Sequence, residues 1–193
     1  MAQHARMKRM NWSGRIRLAD ADRDAEAIAR IYHPAVARTA ASFEEVPAGP
    51  AEMADRVRST LLRTPWLVAT DGETVIGYAY ADGHRERAGY RWSVNVSAYV
   101  DGRWHRRGVG RGLYDALLSM LRRQGFVNVY AAITLPNPGS VALHESIGMR
   151  RIGVYERVGY KLGAWHDVAW YALRLWEPDG QPPEPIPLPR LAL

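Results

Sequence analysis

Apolar and polar residues alternate along this chain with two different periods, and the switches between them mark its elements. "RIRLA" (15–19) reads as a short first strand. Asp20 and Asp22 can cap a helix in which Ile28, Ile31, Tyr32 and Ala35 keep the i, i+3, i+4, i+7 spacing of one buried face. Pro34 lacks an N–H and is expected to kink or end that helix. After the loop "ASFEEVP", Gly49-Pro50 opens a second helix with Met53, Val57 and Leu61 on one side, and Pro65 stops it.

The period then shortens. "WLVAT" (66–70) and "TVIGYAYA" (74–81) flank Asp71-Gly72, a hairpin signal, and "YRWSVNVSAYV" (90–100) alternates as a long strand. Helical spacing returns with Leu113, Leu117, Met120 and Leu121, and Gly125 is placed to end that helix. "FVNVYAAIT" (126–134) is β-rich, Asn137-Pro138 form an N-cap and first-turn pair, and Gly148 closes the short helix they start. "RRIGVYERVGY" and "HDVAWYALRL" read as two closing strands. The order β-α-α-β-β-β-α-β-α-β-β predicts an α/β fold: a mixed, mostly antiparallel central sheet flanked by helices. A basic arm (1–14) precedes one domain (15–176), and six prolines from Glu177 onward predict an extended, mobile tail over 177–193.

Composition narrows the classes. The 193 residues suit one domain with a sizeable core, and no apolar run reaches the ~18–20 residues that span a bilayer. The N-terminal stretch has no apolar core of a secretory signal, and there is no cysteine, so neither a disulfide framework nor a thiolate site is available. A reducing cytoplasm is the simplest home. No spacing of His, Asp and Glu suggests a metal site. The net charge of +6 favours an anionic partner, and the basic residues cluster: Arg85, Arg87, Arg91, Arg103, Arg106, Arg107 and Arg111 lie between positions 85 and 111. Nucleic acid fits the charge, but no recognition motif supports it.

The centre of that cluster is "HRRGVGRG" (105–112), three glycines at the mouth of a helix. Glycine lets a ligand approach the backbone, first-turn N–H groups are free donors, and the helix dipole favours an anion there. A solvated turn that merely starts a helix would look the same. The rest of the pattern decides: a hairpin, a strand ending near Val100, the glycine-rich entrance, then a strand and an Asn-capped helix. Together these resemble the GNAT superfamily of N-acetyltransferases over about residues 15–175, whose signature is Gln/Arg-x-x-Gly-x-Gly/Ala entering a helix. The resemblance implies acetyl-CoA as cosubstrate. Its pyrophosphate would lie on His105, Arg106, Arg107, Gly108, Val109, Gly110 and Arg111, and its pantetheine arm along Ala98, Tyr99 and Val100. Asn137 and Ser140 would make a second contact. Gly110 is expected to be bare because the pyrophosphate comes close to it.

"TPWLVA", "YRWSVNVSAYV", "TLPNPGSVALHESIGM" and "GYKLGAWHDVAWY" are similar to the phosphinothricin and methionine-sulfoximine N-acetyltransferase branch. The similarity implies a small amino acid-like acceptor with an anionic or polar side chain, acetylated on its α-amine, and a homodimer joined through the last two strands. Phe43, Arg85, Arg87 and Tyr90 fall where that branch shapes its acceptor pocket, although by position Arg85 and Arg87 could equally be a solvated hairpin rim. Two positions depart from the pattern. His105 replaces the first Gln or Arg of the signature, and Asn95 stands where the branch carries a glutamate general base. Asparagine cannot titrate in the useful range. The expectation is therefore that Asn95 positions while His144, on the short helix, moves the proton; His4, His33, His84 and His166 carry no such expectation, and His166-Asp167 should order a turn. A protein or peptide acetyltransferase and a non-catalytic acyl-CoA sensor are the alternatives.

Overall fold

In a computed structural model describing residues 12–192, seven strands form one sheet in the order β1-β2-β3-β4-β5-β7-β6. They are β1 (Arg15–Leu18), β2 (Trp66–Asp71), β3 (Thr74–Gly83), β4 (Ser93–Val100), β5 (Asn128–Thr134), β6 (Arg150–Lys161) and β7 (Ala164–Arg174). Four helices cover it: α1 (Ala21–Arg38), α2 (Pro50–Leu61), α3 (Val109–Gln124) and α4 (Pro138–Ser146). The chain order is the one the periodicity predicts, and most of the basic arm, residues 1–11, lies outside the described residues.

Alternation along the strands feeds two cores. Ala79, Ala81, Val94, Val96 and Val129 point to one face, where Leu113, Leu117 and Leu121 of α3 cover them. Trp66, Val68 and Tyr78 point to the other, against Ile28, Tyr32 and Val36 of α1 and Met53 and Val57 of α2. All neighbouring strands are antiparallel except β4 and β5. That parallel pair lasts only three rungs, from Ser93↔Asn128 to Asn95↔Tyr130. Beyond Asn95, β4 follows β3 to the Gly77↔Val100 rung while β5 follows β7, so the sheet splits.

Two expectations need correcting. Pro34 sits inside α1, which continues to Arg38. The well-packed face of Ile28, Ile31, Tyr32 and Val36 outweighs one missing hydrogen bond. The strand expected from Tyr90 starts only at Ser93, because residues 88–90 form a 3-10 turn. The proline-rich tail is extended but docked. The Ile186 N–H donates to the Gln124 carbonyl (2.7 Å), the buried Gln124 side chain returns a hydrogen bond to the Ile186 carbonyl (2.8 Å), and the Leu188 N–H donates to the Arg63 carbonyl (3.1 Å). Leu188 itself is buried, and Glu184 pairs with Arg91.

The entry to α1 is fixed by a buried carboxylate. Asp20 caps the helix, accepting from the Asp22 and Arg23 N–H groups. Asp24, 1% exposed, takes a two-pronged pair from Arg17 (2.6 and 2.8 Å) and the Asp20 N–H at 2.8 Å. Burial by itself would raise its pKa, but Arg17 and the Asp20 N–H together hold it below the usual carboxylate range. Because the folded-state pKa is the lower one, this stabilisation is complete above the unfolded carboxylate pKa of ~4 and fades as pH falls through the folded value. Asp24→Asn should cost about 1–3 kcal/mol at neutral pH, from charge-assisted hydrogen bonds lost on a buried group. Urea melts of both proteins at pH 7 and near pH 3 should show the gap narrowing in acid.

Candidate active site

The split between β4 and β5 leaves the outer edge of Val96–Val100 without a strand partner, and the chain turns from there into α3. Asp101 caps the intervening 3-10 turn and is held by Arg103 (2.8 Å), which keeps its pKa low, at about 2. Arg106 (φ 61) and Gly108 (φ 88) adopt the left-handed conformation, which lets the chain reverse into the helix without a capping side chain. The first helical hydrogen bond runs from the Gly112 N–H to the Gly108 carbonyl, so the N–H groups of Val109, Gly110 and Arg111 remain open. Open donors, a helix dipole and an unpaired strand edge form a continuous strip suited to an anionic group on an amide-bearing arm.

A Cβ on Gly110 would meet Leu143 of α4 at 3.1 Å and Val100 at 3.8 Å, so its missing side chain also serves the packing of α3 on α4. His105 donates from Nε2 to the Val100 carbonyl (2.9 Å), and Arg107 lies over the Trp104 ring. Arg111 donates to the Ser146 carbonyl (3.0 Å), joining α3 to α4. Asn137 caps α4 by accepting from the Ser140 N–H (3.1 Å).

His144 is buried between α3, α4 and β7. Its Nδ1 donates to the Ser140 carbonyl (2.7 Å), which fixes the tautomer, and Nε2 then accepts from the Tyr114 hydroxyl (3.0 Å). Burial lowers the His144 pKa despite the Ser140 contact, so the ring is neutral at physiological pH. Asn95 belongs to the other face of the sheet, the one lined by Tyr78, Tyr80 and Tyr99. Its Nδ2 donates to the Asp82 carboxylate (3.0 Å) and its Oδ1 accepts from Nδ1 of His84 (2.8 Å).

His84, which nothing in the sequence distinguished, is the hub of an aromatic group. It stacks on Tyr130 (centroids 4.5 Å apart) and meets Tyr90 and Trp170 edge-on at 5.8 and 6.1 Å. Arg85 lies over Tyr90 at 5.7 Å, so these two predicted acceptor residues come together with His84. Arg87 lies away from that ring, and with Arg85 it lines a neighbouring groove beside Arg63 and the docked tail's Glu184 and Ile186. Phe43 packs elsewhere, directly on Gly159 of β6, where a Cβ would come within 2.3 Å of the ring. Lys161 holds that loop: its buried ammonium donates to the Val36 and Ser42 carbonyls, both at 2.6 Å. His166 donates to the Lys161 carbonyl (3.0 Å) and so closes the β6–β7 turn.

Asp82 also borders a cavity of about 230 Å³ shared with Tyr32, Arg56, Trp66 and Tyr80. The Arg56 guanidinium there is already committed to Glu44 and Glu52. The buried indole N–H groups of Trp66 and Trp170 have no hydrogen-bond partner among the described residues. Unpaired buried donors on a cavity wall and beside the aromatic group are what a polar ligand would satisfy. Among the described residues no cluster of His, Asp and Glu could hold a metal ion, and no helix is long and apolar enough to cross a membrane.

A sheet split beside an anion-receiving helix mouth is the architecture of an acyl-transferring enzyme that uses a nucleotide thioester. Residues 16–170 match the acetyltransferase (GNAT) domain, and the chain belongs to that family of acetyltransferases. It is 38% identical to a phosphinothricin N-acetyltransferase of Streptomyces viridochromogenes over 84% of this chain and 88% of that protein. It is 34% identical to an L-methionine sulfoximine/L-methionine sulfone acetyltransferase of Salmonella typhimurium over 84% and 95%. A phosphinothricin acetyltransferase from Sinorhizobium meliloti, solved in complex with AcCoA, superposes with a TM-score of 0.85 at 34% identity, covering 91% of this chain and 96% of that one.

Proposed function

We propose that this acetyltransferase moves the acetyl group of acetyl-CoA, in the cytoplasm, to the α-amine of a small amino acid-like acceptor with an anionic or polar side chain. One observation carries the reading: the β4–β5 split opens between a helix mouth with three open N–H donors and an aromatic group carrying an exposed arginine. The names of the relatives, which act on phosphinothricin and methionine sulfoximine, support the acceptor class.

In this reading Val109–Arg111, with Arg106, Arg107 and His105 around them, hold the pyrophosphate, and Ala98–Val100 pair with the arm. The Asn137 Nδ2 and the Ser140 hydroxyl hold the far side. The cosubstrate supplies an activated acyl carbon; the chain's own residues orient the acceptor and manage protons. Arg85 and Tyr90 grip the acceptor's anionic end, Arg87 adds long-range attraction, and Phe43 walls the pocket where its loop meets β6. Asn95 positions, and the neutral His144, directly or through one water, carries the proton that reaches the leaving thiolate. A second copy covers β6 and β7, whose Ile152, Val154, Tyr155, Val158, Tyr160 and Trp165 are exposed apolar side chains.

Thiol release from acetyl-CoA, measured against amino acids, sulfoximines, phosphinates and peptides, tests the reading. The anionic acceptors should outrank their neutral counterparts, and faster turnover of peptides would favour a peptide acetyltransferase instead. Arg85→Ala should raise the acceptor KM about tenfold or more and leave the acetyl-CoA KM unchanged, as expected for lost substrate binding. His144→Gln should lower kcat by ~10²-fold or more with CoA binding intact, the lower end of what proton transfer contributes. Sedimentation equilibrium should return twice the monomer mass, and Val154→Glu with Trp165→Glu should return the monomer.

A further inference from the structure

An amine attacks a thioester only after its ammonium has lost a proton, and Asn95 cannot accept one. Most carboxylates near the cleft are already engaged. Glu44 is paired with Arg56 (2.7 Å), Asp101 with Arg103 (2.8 Å), and Glu145 accepts from Tyr171 (3.4 Å). Asp82 differs, since no arginine or lysine pairs with it among the described residues. It sits directly across the β3–β4 rung from Asn95, and Asn95 is the last β4 residue paired to β5. The carboxylate therefore stands at the apex of the split, on the wall of the cavity lined by Tyr32, Trp66 and Tyr80.

The geometry points to Asp82 as the general base that takes the acceptor's ammonium proton, with Asn95 as the residue that aims it. This rests on the acceptor reading above. Because His84 donates to the Asn95 Oδ1, the Asn95 Nδ2 is turned toward Asp82. A neutral amide orients the carboxylate without the acidifying effect an arginine would have. The groups facing it are His84 at the end of β3, Asn95 on β4, Arg56 from α2, whose charge is spent on Glu44 and Glu52, and the Tyr32 phenol of α1. Although solvent reaches the side chain, the protein around the carboxyl raises its pKa, with Asn95 and His84 only partly opposing the rise. A raised pKa makes the better base. The nitrogen lone pair then forms the C–N bond as the C–S bond breaks. One proton leaves on Asp82 for solvent, and the second passes from nitrogen to the departing sulfur.

The test compares the parent, Asp82→Asn, and the swapped pair Asp82→Asn/Asn95→Asp, which moves the carboxylate across the rung. Asp82→Asn should lower kcat by ~10²–10⁴-fold at pH 7 while the acetyl-CoA KM stays within about twofold. The defect should shrink as pH approaches the amine's own pKa, and the swap should recover about tenfold or more. Asp82→Ser, checked by thermal stabilisation with CoA, guards against a folding defect peculiar to one variant. An active parent whose Asp82→Asn form is unchanged, or impaired equally at every pH with no gain from the swap, overturns the assignment alone. A parent inactive on every acceptor would instead overturn the acceptor reading on which the assignment rests.

Discussion

The arrangement of this molecule follows from a parallel pairing that cannot continue. Strands β4 and β5 share three rungs and then belong to different halves of the sheet, one half led by β3 and the other by β7. Unpaired backbone groups inside a fold must find partners, whether water or ligand. The split concentrates such groups on one strand edge and continues them into the open N–H groups of α3. Because only residues 101–108, tightened by the 3-10 turn, separate β4 from that helix, the edge and the helix mouth keep a short and fixed relation.

The sheet also separates two groups of titratable side chains. His144 and Tyr114 lie in the core beneath α3 and α4, in a closed chain of hydrogen bonds that starts at the Ser140 carbonyl. Asp82, Asn95 and His84 lie on the other face among tyrosines and tryptophans. A neutral imidazole and a carboxyl whose pKa is raised by the surrounding protein thus sit in separate environments.

Local signals in the sequence were read well and register was not. The spacing of Gly108, Gly110 and Gly112 marked the helix mouth because glycine at such a place has a local cause. It gave no sign that Gly110 also lies against Leu143, thirty-three residues away in sequence. Asp82 and Asn95 gave no sign of contact, since their pairing depends on how β3 and β4 slide past each other around the 84–92 turn. His84 was invisible for the same reason. Pro34 was overruled by tertiary packing. The tail's proline content announced an extended chain, but the partners that dock it, Arg63, Arg91 and Gln124, are scattered along the domain.

Lys161 ties two surface segments into one heritable unit. Its ammonium belongs to β6, yet both carbonyls it needs come from the end of α1 and the loop bearing Phe43. A change of loop length that moves the Ser42 carbonyl away would leave this buried cation short of an acceptor, a fault costing several kcal/mol. The length of the loop and the lysine of β6 are therefore coupled. In a lineage where the loop changes length, that lysine is bound to change with it.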